Sequence, residues 1–283
     1  MTVIRARILG FCPGVRRAVR IAEDAAGRAP VRVLGQIVHN RHVSDRLASL
    51  GAIEAGRDEI LAAPRGTGVV IRSHGAAPDV YDAMRGAGLS VIDATCPKVA
   101  TNQKKAADAS RAGRRVVVAG DKGHGETQAV AAWAPGSVIV SCAAEARELI
   151  LDGPVTLVAQ TTFSEGEYAA IRDALAASGR DLEDLGGICS ATRDRQAALR
   201  ELCDHVDAVV VVGGRNSANT RRLAELARAL GKPAWHIESA DELPLELAAY
   251  GRVGLSAGAS TPDEDIVAVE DRLAAMHGNR GGA

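Results

Sequence analysis

The chain has 283 residues, 47% apolar and 24% charged, an ordinary globular composition with length enough for two or more domains. A formal net charge of −1 gives no overall basic field for nucleic acid or anionic lipid, and two Trp, three Tyr and two Phe are too few rings for a base-stacking surface. The longest apolar runs are strand-sized, and "MTVIRARILG" carries no signal-peptide hydrophobic segment, so a cytoplasmic protein without membrane or nucleic-acid partners is expected.

In chain order, a cysteine first stands against a proline in "GFCPGVRRAV". Val15, Ala18, Val19 and Ala22 then follow the spacing of one helical face, and Gly27 stops that helix. A short apolar strand, "VRVLG", ends at Gly35, and His39 and Arg41 follow it. A second strand, "GVVIRSHG", ends in Ser73-His74-Gly75, and a third, "SVIDATC", leads to Cys96. Pro13 and Pro97 both suit a first helical position, where a missing N–H costs nothing.

The same sentence then runs twice more. After Cys96 come a more polar helix, "RRVVVAG" to Gly120, His124 and Glu126, and "VTLVAQTT" with Gln160, Thr161 and Thr162 at its end. Ser164 and Glu167 form a capping box, and the weak lead-in "RDLEDLGGIC" reaches Cys189. After Cys189 the apolar face is Leu199, Leu202, Cys203 and Val206. "DAVVVVG" ends at Gly213, with Ser217 and Asn219 beyond it, and "VGLSAGAS" ends in Gly258-Ala259-Ser260. Thr261 and Glu264 read as another capping box, and "MHGNRGGA" as a frayed tail. "TVIRARILGFC" is the equivalent lead-in to the first cysteine.

The cysteine-to-glycine offsets are 23, 24 and 24. Strand–helix alternation with this repeat predicts three small parallel-sheet α/β domains, in a pseudo-threefold arrangement: residues 1–96, 97–188 and 189–283. Ligands of such sheets collect beyond the carboxyl ends of the strands, where every polar residue named above falls. One large doubly wound sheet with accidental spacing is the competing architecture.

Of the five cysteines, Cys142 and Cys203 read as core thiols, and Cys12, Cys96 and Cys189 as a periodic set at helix starts. In a reducing compartment such residues are thiols or metal ligands rather than disulfides. No CxxC pair favours structural zinc. Three thiolates instead suit a 4Fe–4S cluster with one open iron, able to bind a substrate oxygen and deliver electrons. His39, His74, His124, Ser217, Asn219 and Ser260 supply hydrogen-bond donors for a phosphate or diphosphate. No Walker or dinucleotide motif accompanies them. Glu126 is read as a loop carboxylate that keeps its proton to higher pH beside an anionic diphosphate. Thr161 and Thr162 are open between a proton relay and strand-end caps. His42 falls to a structural role on the next helix, and His236 and His277 lie outside the pattern.

Taken together, "GFCPGV", "IVHN", "SHG", "DATCP", "GHGE", "QTTFS", "ICSAT", "NSANT" and "AGAS" resemble the LytB/IspH family of 4-hydroxy-3-methylbut-2-enyl diphosphate reductases, over nearly the whole chain. The resemblance implies three α/β domains around a central 4Fe–4S cluster with Cys12, Cys96 and Cys189 as its ligands. It implies a diphosphate site of His39, His74, His124, Thr161, Ser217, Ala218, Asn219 and Ser260. It implies Glu126 as proton donor with His124 and Thr161 as partners, and a ferredoxin or flavodoxin as electron donor. The expected reaction is reductive dehydroxylation to isopentenyl and dimethylallyl diphosphate, the last step of the non-mevalonate isoprenoid pathway. Two motifs depart from the family's usual residues: His124-Gly125-Glu126-Thr127 stands where His-Pro-Glu-Val is usual, and Ala218 stands where a serine is. The rival readings are an iron–sulfur hydratase or dehydratase acting on a small phosphorylated substrate, a cluster-bearing sensor, and a zinc hydrolase.

Overall fold

The computed structural model describes residues 1–278. Strand and helix alternate from the start: β1 (Thr2–Arg5), α1 (Pro13–Ala26), β2 (Val31–Leu34), α2 (Arg41–Ser49), β3 (Ala52–Ala55), α3 (Arg57–Leu61), β4 (Gly68–Ile71), α4 (Pro78–Gly86) and β5 (Ser90–Asp93). The middle of the chain forms α5 (Pro97–Arg111), β6 (Arg115–Ala119), α6 (Gly125–Ala132), β7 (Val138–Val140), α7 (Ala143–Glu148), β8 (Val155–Ala159), α8 (Glu165–Ala176) and β9 (Leu182–Asp184). The last part forms α9 (Ser190–Cys203), β10 (Ala208–Val212), α10 (Ala218–Ala229), β11 (Ala234–Ile237), β12 (Arg252–Ala257) and α11 (Asp263–Gly278), with two short 3-10 turns between β11 and β12.

The strands form three four-stranded sheets in the orders β3-β2-β4-β5, β7-β6-β8-β9 and β11-β10-β12-β1, and every pairing is parallel. The topology is the same each time: the first strand after the cysteine helix is central, with the next strand on one side and two more on the other. Every lead-in strand therefore closes the edge of the sheet before it. β5 pairs with β4 and β9 with β8, while β1, the lead-in to Cys12, pairs with β12 from Thr2↔Arg252 to Arg5↔Leu255. The outer strands β3, β7 and β11 are three or four residues long, and β3 alternates poorly, so the sequence pattern passes over β3 and β11.

The chain divides into two compact units, one of Met1–Pro13, His39–Val43 and Ser190–Ala283, the other of Gly14–Val38 and Ser44–Cys189. The first holds the sheet of β1, β10, β11 and β12, and the second holds the other two sheets. In the first unit β10 is buried on both faces. Successive side chains point to opposite faces, so Val210 and Val212 pack with Leu255, Val269 and Leu273, while Val209 and Val211 pack with Leu199, Leu223 and Ala227. β6 does the same in the second unit. Val117 joins Leu157, Ile171 and Leu175, and Val118 joins Ala106, Val130 and Val158.

Several local expectations need correction. Glu126 lies in the first turn of α6 rather than in a loop, and it is buried. Ser164 accepts from the Glu167 N–H at 3.4 Å as a cap, but the Thr261 hydroxyl donates to the Val212 carbonyl at 2.9 Å, and α11 begins two residues later. Cys203 is core, whereas Cys142 is the half-buried N-cap position of α7. The polar α5, with 15 residues, is the longest of the three cysteine helices; Val99, Ala106 and Ala109 give it a buried stripe. Of the expected tail, Met276, His277 and Gly278 close α11, and residues 279–283 lie outside the described residues. No helix among the described residues is long and apolar enough to cross a membrane.

Candidate active site

Each of the three periodic cysteines is held by the same backbone bond. The N–H of Cys12 donates to Ala259 O at 3.1 Å, that of Cys96 to Ser73 O at 2.9 Å, and that of Cys189 to Thr161 O at 3.1 Å. Each acceptor is the second residue beyond the third strand of its sheet: β12, β4 or β8. The glycines that end β2, β6 and β10 match likewise, Gly35, Gly120 and Gly213 donating to the last residue of the adjacent outer strand. The repeat read from spacing is therefore a repeat of hydrogen bonds. All five cysteines are thiols outside any disulfide. Cys12, Cys96 and Cys189 are half-buried at strand-to-helix corners, in contrast to buried Cys203.

The second unit carries His74, Cys96, His124, Glu126, Thr161 and Cys189. His124 is the N-cap of α6, and its Nδ1 accepts the Glu126 N–H at 3.2 Å. In a neutral ring that bond leaves the proton on Nε2, so His124 presents a donor away from the helix. The His74 ring meets the His124 ring edge-on, with centroids 5.0 Å apart and planes at 79°. Glu126 is only 2% exposed. Its carboxylate accepts twice from Thr161, from the backbone N–H at 2.5 Å and from Oγ1–H at 2.8 Å. A buried carboxyl needs such partners, and two from one residue set its plane as well as its position.

A further buried network, missed by the motif reading, holds the two loops that bear this pair. Gln160 Oε1 accepts from the Asp121 N–H at 2.9 Å and from Thr127 Oγ1 at 3.1 Å, while its Nε2 donates to Thr162 Oγ1 at 2.8 Å. Thr162 is thus a loop-bracing hydroxyl, and Thr161 is the one that reaches Glu126. Asn102 on α5 donates to Ala159 O at 2.9 Å and to Gly187 O at 3.0 Å, tying the end of β8 to the approach to Cys189. Gly187 has φ +134°, and a Cβ there would sit 2.6 Å from Ala159 O, so only glycine fits. A polar residue on the buried stripe of α5 was the available signal for Asn102.

The first unit carries Cys12, His39, Ser217, Ala218, Asn219 and Ser260. Ser217 caps α10, accepting from Thr220 N–H at 3.3 Å, and places Ala218 and Asn219 in the first turn. Ser260 Oγ donates to His39 O at 3.2 Å and lies 3.4 Å from Ser217 Oγ. Asn219 is 4% exposed, and its Nδ2 has no acceptor among the described residues. An amide N–H donor at a helix N-terminus has the chemistry that suits an oxyanion. His39 comes close because Gly214 has no side chain; a Cβ there would meet His39 O at 2.3 Å.

Three further residues brace this unit, and motif spacing gave no hint of their contacts. Asn40 Oδ1 accepts the Val43 N–H at 3.0 Å at the start of α2, and its Nδ2 donates to Asp265 at 3.2 Å. His42 Nδ1 lies 2.7 Å from the same carboxylate, which gives His42 the structural role expected of it. Arg195, 3% exposed, reaches Gly10 O and Ala191 O and so ties the approach to Cys12 to α9.

Known proteins share this plan. Residues 3–274 match the family described as LytB protein. A 4-hydroxy-3-methylbut-2-enyl diphosphate reductase of Treponema denticola is 41% identical over 96% of this chain and 99% of its own, and one of Aquifex aeolicus is 36% identical over 96% and 95%. The solved E-1-hydroxy-2-methyl-but-2-enyl-4-diphosphate reductase of Plasmodium falciparum superposes with a TM-score of 0.91 at 27% identity, covering 95% of this chain and 87% of that one. With the match running from β1 to α11, and with the same strand-end corners carrying the quoted motifs, the chain belongs to the LytB family.

Proposed function

We propose that this protein reduces 4-hydroxy-3-methylbut-2-enyl diphosphate to isopentenyl and dimethylallyl diphosphate, the terminal reaction of the non-mevalonate pathway, as its relatives' names describe. Those names describe a reduction, which sets aside the dehydratase reading. The observation that carries the proposal is the buried Glu126 carboxylate clasped by Thr161, next to a histidine that offers a ring N–H.

The reaction breaks one C–O bond, and the oxygen leaves as water. Two electrons and two protons balance it. Glu126 is the proton source for the departing hydroxyl, with the Thr161 Oγ hydroxyl as the relay between carboxyl and substrate. His39, His74, His124, Thr161, Ser217, Asn219 and Ser260, with the backbone of Ala218, hold the diphosphate. Their N–H and O–H groups suit its acceptor-only oxygens, and burial strengthens each bond. The donor set also fits an iron–sulfur group: three thiols at equivalent helix starts, none used in a disulfide. A 4Fe–4S cluster held by Cys12, Cys96 and Cys189 would supply Lewis acidity and electron transfer. A ferredoxin or flavodoxin donates the electrons, and the protein works in the cytoplasm. The sheets act as three domains, 1–96, 97–188 and 189–283, with β1 lent by the first to the sheet of the third.

The test is anaerobic turnover of the hydroxylated diphosphate with dithionite and a viologen dye. Product formation must need the reductant, and Glu126→Gln should lower it by about 10²-fold or more. Reductant-independent loss of water, or full activity in Glu126→Gln, would reject the assignment.

A further inference from the structure

A cavity of about 370 Å³ opens in the second unit at the carboxyl ends of β2, β3 and β4. The strand order β3-β2-β4-β5 makes this the switch point of the sheet, because the chain leaves β2 in one direction for β3 and returns on the other side for β4. Such crevices are the usual ligand sites of open parallel sheets. None of the residues assigned above to the diphosphate lines it. Its wall is made mostly of glycine, alanine and aliphatic side chains, with Gln128 as its amide and Arg72 as its one charged group.

Arg72 has no ion pair and no side-chain hydrogen bond among the described residues, and its Nε is buried without an acceptor. Burial alone pushes its guanidinium down from the ordinary value, with no carboxylate acting against the shift, yet arginine stays charged at neutral pH. A half-buried guanidinium whose Nε lacks an acceptor keeps hydrogen-bonding capacity that a ligand can satisfy. The surroundings are shaped to admit it. A Cβ on Gly35 would lie 3.0 Å from Nη1, and one on Gly125 would lie 2.4 Å from Nη2. The N-cap of the nine-residue α4, Ala77, also lies on this wall and supplies no side-chain cap.

We propose that this cavity binds a small oxyanion, a phosphate or a carboxylate, whose oxygens pair with the Arg72 guanidinium. A planar guanidinium fork matches both groups, and the absence of any acid from the wall leaves the charge for the ligand. Gly125 stands between His124 and Glu126, so a ligand here lies behind the corner that carries them.

The test is calorimetric titration of the anaerobically purified holoprotein, at constant ionic strength, with inorganic phosphate and separately with malonate. At least one should bind saturably, with a dissociation constant on the order of 0.1–1 mM. The preferred anion identifies the ligand class. Arg72→Met should weaken that binding at least tenfold, whereas Arg252→Met, at the amino end of β12 in the other unit, should leave it unchanged. If Arg72→Met does not fold, Arg72→Lys and Gly125→Ala take its place, the first removing the fork and the second crowding it, with the same loss expected. Equal affinity in wild type and the Arg72 or Gly125 variants would overturn the proposal, as would the failure of both anions to bind wild type.

Discussion

Thr161→Val isolates the clasp on Glu126. Valine keeps the shape of threonine and the backbone N–H that donates at 2.5 Å, and removes only the Oγ1–H that donates at 2.8 Å. Because Glu126 is 2% exposed, water does not replace the lost donor. A hydrogen bond to a charged group is worth about 1.5–3 kcal/mol, and here nearly the whole amount is forfeited. Taking about 2 kcal/mol, the melting temperature should fall by roughly 4–8 °C, on the scale of 2–4 °C per kcal/mol for chains of this size class. Turnover under anaerobic reducing conditions should fall by about 10²-fold, since the carboxyl loses both its orientation and its relay. Thr161→Ser restores the hydroxyl and should recover most of both losses. A Thr161→Val protein that melts within about 1 °C of wild type and turns over at the wild-type rate would refute the role given to this contact.

Three other outcomes follow from the same structure. Cys12→Ala, Cys96→Ala and Cys189→Ala should each abolish iron retention and turnover, while Cys142→Ala and Cys203→Ala keep both; iron and sulfide analysis after anaerobic purification decides it. Gly214→Ala brings a Cβ to 2.3 Å from His39 O and should destabilise the fold by about 2 kcal/mol or more, whereas Gly123→Ala, with nothing within 4 Å, should be near neutral in urea denaturation. Arg5 on β1 donates to Glu270 on α11 at 2.8 Å and holds that carboxyl below the usual carboxylate range. Its stabilisation is therefore present above the unfolded-state value and lost as pH falls through the lower folded one. Glu270→Gln should cost less than about 1 kcal/mol at neutral pH, the pair being part-exposed, and the difference from wild type should shrink toward nothing once the pH lies below the lowered folded-state value.

What sequence alone determined here is local and periodic. Helices begin at Pro13 and Pro97 because a proline at that position loses no bond, and β10 reads as a strand because four of the five residues of "AVVVV" are β-branched. The offsets from cysteine to glycine placed the functional corners, since equal spacing in equal topology brings chemically similar residues to the same strand ends. The tertiary structure alone decided the rest. β1 joins β12 some 250 residues away, and no local pattern names an edge strand's partner; register and burial choose it. Glu126 reads as a loop carboxylate, and only the fold buries it in a helical first turn under Thr161, 35 positions on. Asn102, Gln160, Asp265 and Arg72 look ordinary in the chain, and become informative only when folding removes the water that would otherwise satisfy them.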